Sequence, residues 1–192
     1  MANRYRKRGL DRTARRIVAF LEQRGLAGAT VLEVGGGVGE IQLELLRRGA
    51  ARAVNLELSS AYDAEATRLL RVAGLDQRAE RRLHDIAMDP AGVAPADIVV
   101  LHRVVCCYPD YTRLLTAAAD HAERLLVYSH PPRNLVSRMF VGAQNLAFRL
   151  ARKDFRTFAH PPSAMLAAAE ARGLRRTFCH SGVPWQVVGL ER

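Results

Sequence analysis

Val31-Leu-Glu-Val-Gly-Gly-Gly-Val-Gly-Glu40 runs straight into Ile41-Gln-Leu-Glu-Leu-Leu-Arg-Arg48. Strand-forming residues lead into an acid, then into glycines at 35, 36, 37 and 39, then into a run with helical periodicity. A strand, a glycine turn and a helix in that order build a site for a nucleotide-like ligand. The glycines let the backbone bend sharply and approach a ligand closely, and the helix start offers free N–H groups. Two details narrow the ligand. The dinucleotide spacing G-x-G-x-x-G would need a third glycine at position 40, where Glu40 stands. Glu33, two residues before the first glycine, would repel a pyrophosphate and instead suits a ligand with an ammonium and a sulfonium.

The strand–helix alternation extends on both sides. Residues 13–24 read as a helix, with Ile17, Phe20 and Leu21 on one face and Gly25 as its stop. Strands are expected at 30–34, 53–58, 81–85, 97–101 and 124–129, and helices at 40–48, 61–73, 110–122, 133–152 and 163–172. The stretch 97–101 is almost wholly apolar, as suits a central parallel strand. Strands at 175–179 and 185–190, joined by His-Ser-Gly-Val-Pro, suggest an antiparallel pair. The pattern predicts an α/β fold: a doubly wound, mostly parallel seven-stranded sheet with an antiparallel last strand. Its ligand belongs at the carboxyl ends of the strands.

The 192 residues, 49% of them hydrophobic, suit one domain over 1–192 with a sizeable core. Net charge is +10, and 27 of the 29 basic residues are Arg, spread over nearly every segment. That spread reads as compositional bias, so nucleic acid is not the expected partner. Arg4, Arg6, Lys7 and Arg8 make residues 1–10 a basic N-terminal arm, expected to be solvated or to form a flap over the ligand. The apolar stretch 98–108 is short and broken by His102 and Arg103, so no transmembrane segment is expected. The apolar run 17–21 is too short for a signal-peptide core, and a cytoplasmic setting follows. Cys106, Cys107 and Cys179 lack metal-ligand spacing; reduced thiols and no metal are expected.

With these motifs in order, the chain resembles the class I S-adenosylmethionine-dependent methyltransferases along nearly its whole length. Glu33-Val-Gly-Gly-Gly-Val-Gly39 is similar to that family's first motif, and Asn55-Leu-Glu-Leu-Ser59 to the second. His84-Asp85-Ile86 is similar to the third, and Asp97-Ile-Val-Val-Leu-His-Arg-Val104 to the fourth. Pro-Arg at 132–133, a long helix, prolines at 161–162 and Ser-Gly at 181–182 are similar in order to magnesium-protoporphyrin O-methyltransferases. The resemblance implies a Rossmann-like methyltransferase fold, S-adenosyl-L-methionine as cofactor, and a small-molecule methyl acceptor. It implies that Glu33, Gly35, Gly36, Gly37 and Gly39 hold the cofactor, with Glu33 reaching its methionine ammonium or fixing the loop. Glu57 would accept the ribose hydroxyls, and Leu58 would cover one adenine face. Asp85 would accept the adenine amino hydrogen while Ile86 donates its backbone N–H.

His102 follows the fourth strand, at the mouth of the expected channel. Its backbone can hold the cofactor, and its imidazole, ordinarily titrating near pH 6.5, can take a proton from an acceptor hydroxyl. Tyr108, Tyr111 and His130 are candidates for facing the acceptor, with Tyr108 and His130 as further catalytic candidates, and His160 is expected as a turn or cap residue. Cys106 and Cys107 are expected to be buried thiols. The helix over 133–152 carries a broad apolar stripe including Met139 and Phe140, expected as core or sheet packing and suited to a flat hydrophobic acceptor nearby. Methylation at oxygen of a small organic acceptor is the leading expectation. Alternatives are an RNA methyltransferase and a non-catalytic cofactor-binding subunit; no motif addresses the oligomeric state.

Overall fold

The computed structural model describes residues 2–153 and 155–192. Its elements follow the chain as α1 (Ala2–Arg8), α2 (Arg12–Gln23), β1 (Thr30–Val34), α3 (Glu40–Arg47), β2 (Arg52–Glu57), α4 (Asp63–Val72), β3 (Ala79–Leu83) and β4 (Ala96–Leu101). Then come α5 (Tyr111–His121), β5 (Ala122–His130), α6 (Leu135–Leu150), α7 (Pro162–Glu170), β6 (Arg175–Ser181) and β7 (Gln186–Glu191). The strands form one seven-stranded sheet in the order β3-β2-β1-β4-β5-β7-β6. β1 to β5 run parallel, and β7 runs antiparallel to both β5 and β6. Strand order reverses between β1 and β4. The loops leaving those two strands therefore diverge and open a crevice at their carboxyl ends.

Each central strand feeds two cores because its side chains alternate. Ile98 and Val100 of β4 pack with Ile17 and Leu21 of α2 and Ile41 and Leu45 of α3. Val99 and Leu101 pack on the other face with Leu114, Leu115 and Ala118 of α5 and Met165 of α7. That two-sided burial explains why 97–101 reads as an unbroken apolar run.

Several expectations change. β5 begins early, at Ala122, and β6 runs on to Ser181. β3 starts two residues before 81, because Ala79 pairs with Ala53 at the sheet edge. The basic N-terminal arm is a docked helix, not a solvated one. Tyr5 is buried, its hydroxyl donates to Glu44, and Arg47 donates back to it at 3.0 Å. Arg4 pairs with Asp11 at 3.4 Å and with Glu40 at 3.6 Å. The apolar stripe of α6 is not core: the helix has no buried residue. Leu135, Val136, Met139 and Phe140 face outward, while Asn145 turns inward, donating to Thr157 O at 2.8 Å and accepting Thr157 N–H at 2.9 Å.

Gly189 of β7 lies under the α2 layer. A Cβ there would stand 2.6 Å from Phe20 Cζ and 3.1 Å from Phe178 Cβ, and those two rings stack with centroids 4.9 Å apart. Gly189→Ala should destabilise the protein by about 1–3 kcal/mol through overpacking. The check is a lower urea midpoint with an unchanged slope.

Candidate active site

The glycine turn is shaped from below. Glu33 at the end of β1 is buried, and its Oε2 accepts the Gln42 N–H at 3.0 Å, tying strand end to helix start. A Cβ on Gly36 would lie 2.6 Å from Glu33 Cδ and 2.8 Å from Asn55 Nδ2, so only glycine fits. Gly35 combines φ of +64° with Val104 Cγ2 at 2.5 Å from any added Cβ, which excludes every side chain twice over. Burial, reinforced by the neighbouring Glu40 and Glu57 carboxylates, pushes the Glu33 carboxyl up to about 8.

Glu57 ends β2 with its carboxylate turned to the loop. Oε2 accepts the Gly37 N–H at 2.8 Å, and Oε1 accepts the Leu58 N–H at 2.9 Å. Each oxygen keeps a lone pair for a further donor. Arg81 Nη1 donates to Gly37 O at 2.6 Å and Arg81 Nε to Asp63 Oδ1 at 2.6 Å, clamping the loop from β3. Asp85 turns the chain after β3 by accepting the Ala87 N–H at 3.0 Å. The Tyr108 hydroxyl donates to the same carboxylate, 3.0 Å from Oδ2. Burial and that bond push the Tyr108 phenol up to about 12.

Beyond β4, Ser129 Oγ accepts the Arg103 N–H at 3.0 Å and lies 2.9 Å from His102 Nδ1. It holds Arg103 in a left-handed conformation, φ 61°. The Arg103 guanidinium reaches Asp11 Oδ2 at 2.6 Å and stacks over Trp185, 5.0 Å from the ring centre. Burial, with the Arg103 charge beside it, pushes the His102 imidazole down to about 4. The ring is therefore neutral near pH 7.

Many of these groups border, and the others brace, one cavity of about 610 Å³. Glu33, Gly35, Gly36, Gly37, Glu57, Leu58, Asp85, Ile86, His102 and Tyr108 all line it. Gly39 does not: it precedes α3 as a left-handed turn residue, φ 74°. His130 does not either. It sits in a separate crevice with Cys106, Phe158 and Met165, and its Nδ1 bonds Pro131 O at 2.9 Å. Tyr111 packs on the His160 ring, and His160 Nε2 donates to Tyr108 O at 3.0 Å, acting as a loop tie. Cys106 is buried and Cys107 half-buried; the latter also lines the cavity. The chain pattern carried no signal for Asp11, Arg81 or Ser129, whose partners are remote in sequence. Among the described residues there is no cluster of three or more His, Cys, Asp or Glu able to hold a metal.

Nine buried side-chain polar atoms lack a hydrogen-bond partner among the described residues, and eight belong to this region: Glu40 Oε2, both amide atoms of Gln42 and of Asn55, Arg81 Nη2, His102 Nε2 and Arg103 Nε. Gln42 lies against Gly39 and Asn55 against Gly36. Glu40, His102 and Arg103 line the cavity, and their unpartnered atoms suit a polar ligand there.

Comparison with known proteins agrees. A family model described as "Methyltransferase domain" matches residues 3–175. The chain is similar in fold to magnesium protoporphyrin IX methyltransferase from Synechocystis PCC 6803 with bound SAH, at 20% identity, covering 94% of this chain and 82% of that one, TM-score 0.76. It is also similar to an O-methyltransferase family protein from Burkholderia thailandensis (19% identity, 94% and 56% covered, TM-score 0.74). A third is an O-methyltransferase family 2 protein from Planctomyces limnophilus DSM 3776 in complex with apigenin (18%, 94% and 62%, TM-score 0.69). The chain thus spans little more than half the length of these last two. No curated protein matches it. At such identities the neighbours speak for the fold, while the family model covers nearly the whole chain: the protein belongs to the methyltransferase-domain family, and with it to the class I S-adenosylmethionine-dependent methyltransferases.

Proposed function

We propose that the protein transfers a methyl group from S-adenosylmethionine to an oxygen of a small organic acceptor, and does so as a single domain spanning 1–192. The observation that carries this reading is the ring of strand-end carboxylates, Glu33, Glu57 and Asp85, round one cavity with a glycine wall. The unpartnered buried polar atoms beside that wall support the fit. When bound, the cofactor supplies an electrophilic methyl group on a sulfonium.

The chain's own residues do the rest. Glu57 accepts the ribose hydroxyls with the lone pairs left over from Gly37 and Leu58. Leu58 and Ile86 close on the adenine, and Asp85 accepts its amino hydrogen. Tyr108 works at this end too: its hydroxyl is spent on Asp85, so it positions the adenine acceptor group and leaves the acceptor molecule to others. Glu33 sits too deep to be a simple surface counter-ion. It fixes the loop through Gln42, and its carboxylate would be the group that faces the cofactor's ammonium. His102 stands at the reacting centre. When Nδ1 carries the ring proton it donates to Ser129 Oγ, leaving the Nε2 lone pair for an acceptor hydroxyl. His130, set apart from the cavity, is not retained in a catalytic role. Alignment in the cavity supplies most of the acceleration, up to about 7–11 kcal/mol, and His102 adds a smaller factor.

The O-methyltransferase names among the similar folds, and the apigenin complex of one of them, support a flat organic acceptor. Phe155 and Cys107 on the cavity wall offer it apolar and soft surface. Three free cysteines suit a cytoplasmic setting.

Titration calorimetry with the donor and with its demethylated product is the primary test; absence of heat from folded protein overturns the reading. Three further outcomes are expected. Glu57→Ala should weaken donor binding by roughly 1.5–3 kcal/mol. Glu33 holds a proton up to about pH 8, and a cation favours its ionised form, so donor affinity should rise from about pH 6 to about pH 8. Glu33→Gln should flatten that rise. His102→Ala should slow turnover about 10²-fold or more with donor affinity unchanged. Because its ring is neutral above about pH 4, the wild-type rate should show no histidine inflection near pH 6.5.

A further inference from the structure

Helix α6 presents its polarity in reverse. Leu135, Val136, Met139, Phe140, Leu146 and Leu150 are 56 to 77% exposed. The side turned to the protein carries Gln144 and Asn145, both bonded to Thr157. At 100° per residue the exposed apolar side chains span a continuous arc of about 140°. They project from a convex helix and so offer no groove for a single complementary peptide.

The charge around that arc has one sign. Residues 131–153 contain Arg133, Arg138, Arg149, Arg152 and Lys153 and no Asp or Glu. Among the described residues no ion pair or side-chain hydrogen bond occupies these five. Arg138 and Arg149 are about three turns apart and share one edge of the apolar arc. A second copy laid on this face would bring arginines against arginines. No helix among the described residues is long and apolar enough to cross a membrane, and α6, at 16 residues, is about 24 Å long. An apolar arc edged by arginines is the pattern of a helix lying in a bilayer interface, its apolar groups in the acyl boundary and its cations at the headgroups.

We propose that α6 docks the protein on an anionic lipid surface, with Leu135, Met139, Phe140, Leu146 and Leu150 inserted and Arg138 and Arg149 at the phosphates. The inward face of α6 connects this surface to the cavity. Phe148 meets Phe155 edge-on, ring centres 5.4 Å apart, and Phe155 lines the cavity. Resting on the methyl-transfer reading, this makes a lipid-soluble acceptor, entering from the bilayer side, the substrate class. The docking itself does not rest on that reading.

Flotation of the full chain with vesicles, without methyl donor, tests it. Binding is expected to vesicles of phosphatidylcholine with phosphatidylglycerol and to be weak on phosphatidylcholine alone. Met139→Asp/Phe140→Asp and Arg138→Glu/Arg149→Glu should each lower partitioning about tenfold or more. Both pairs are exposed, so circular dichroism and Tm should stay unchanged. Arg15→Glu/Arg16→Glu, the same charge change on the exposed face of α2, should have a much smaller effect. Three results would overturn the proposal: wild type left in the aqueous phase with both vesicles, equal losses from the α2 and α6 reversals, or a dimer that Met139→Asp/Phe140→Asp splits without vesicle binding. Vesicle binding alongside an absent calorimetric response to donor would sink the methyl-transfer reading while leaving the docking intact.

Discussion

A buried carboxyl under a glycine turn is the constraint from which the site follows. Glu33 is almost wholly buried; it takes the Gln42 N–H and keeps its proton well above the ordinary carboxyl range. That single bond joins the end of β1 to the first turn of α3. The loop between them has to pass directly over the Glu33 side chain, which leaves no room for a Cβ at Gly36. The backbone is thus pressed into the shape that lets Gly37 meet Glu57. A burial cost at one position is offset by order at four others.

The opposite wall depends on a chain of contacts that crosses the whole fold. Ser129 on β5 holds the tip after β4. Arg103 carries that tip to Asp11, which also caps α2 by accepting the N–H groups of Thr13 and Ala14. Arg4 adds α1 to the same carboxylate. The basic start of the chain is therefore structural electrostatics close to the cavity. Ion pairs this near the surface are individually weak; their value here is in fixing where the His102 ring stands.

Local pattern made the sheet legible. Apolar runs, glycine stops and the acids at or just past the ends of β2 and β3 are short-range signals; they mark β1, β2 and β4, and they pick out Glu57 and Asp85, which line the cavity. The losses share one cause. Tyr108 binding Asp85, Ser129 holding His102 and Asp11 holding Arg103 are contacts between residues 23, 27 and 92 positions apart, and no periodicity encodes them. His130, a further candidate because it ends β5, is carried past the cavity into another crevice. For α6 the periodicity correctly identified an apolar face, but periodicity does not say what lies opposite it.

The placement of β7 has its own consequence for how the chain comes together. It follows β6 in sequence yet lies between β5 and β6. Until β7 exists, β5 offers an open row of amides and carbonyls, and β6 has nothing to hold it to the sheet. Closure of this side is thus a late, non-local event, with a loop spanning α6 and α7 already drawn together. A partly made chain would expose a sticky hem at just the strand that carries Ser129, making assembly of the sheet's far border the vulnerable stage of biogenesis.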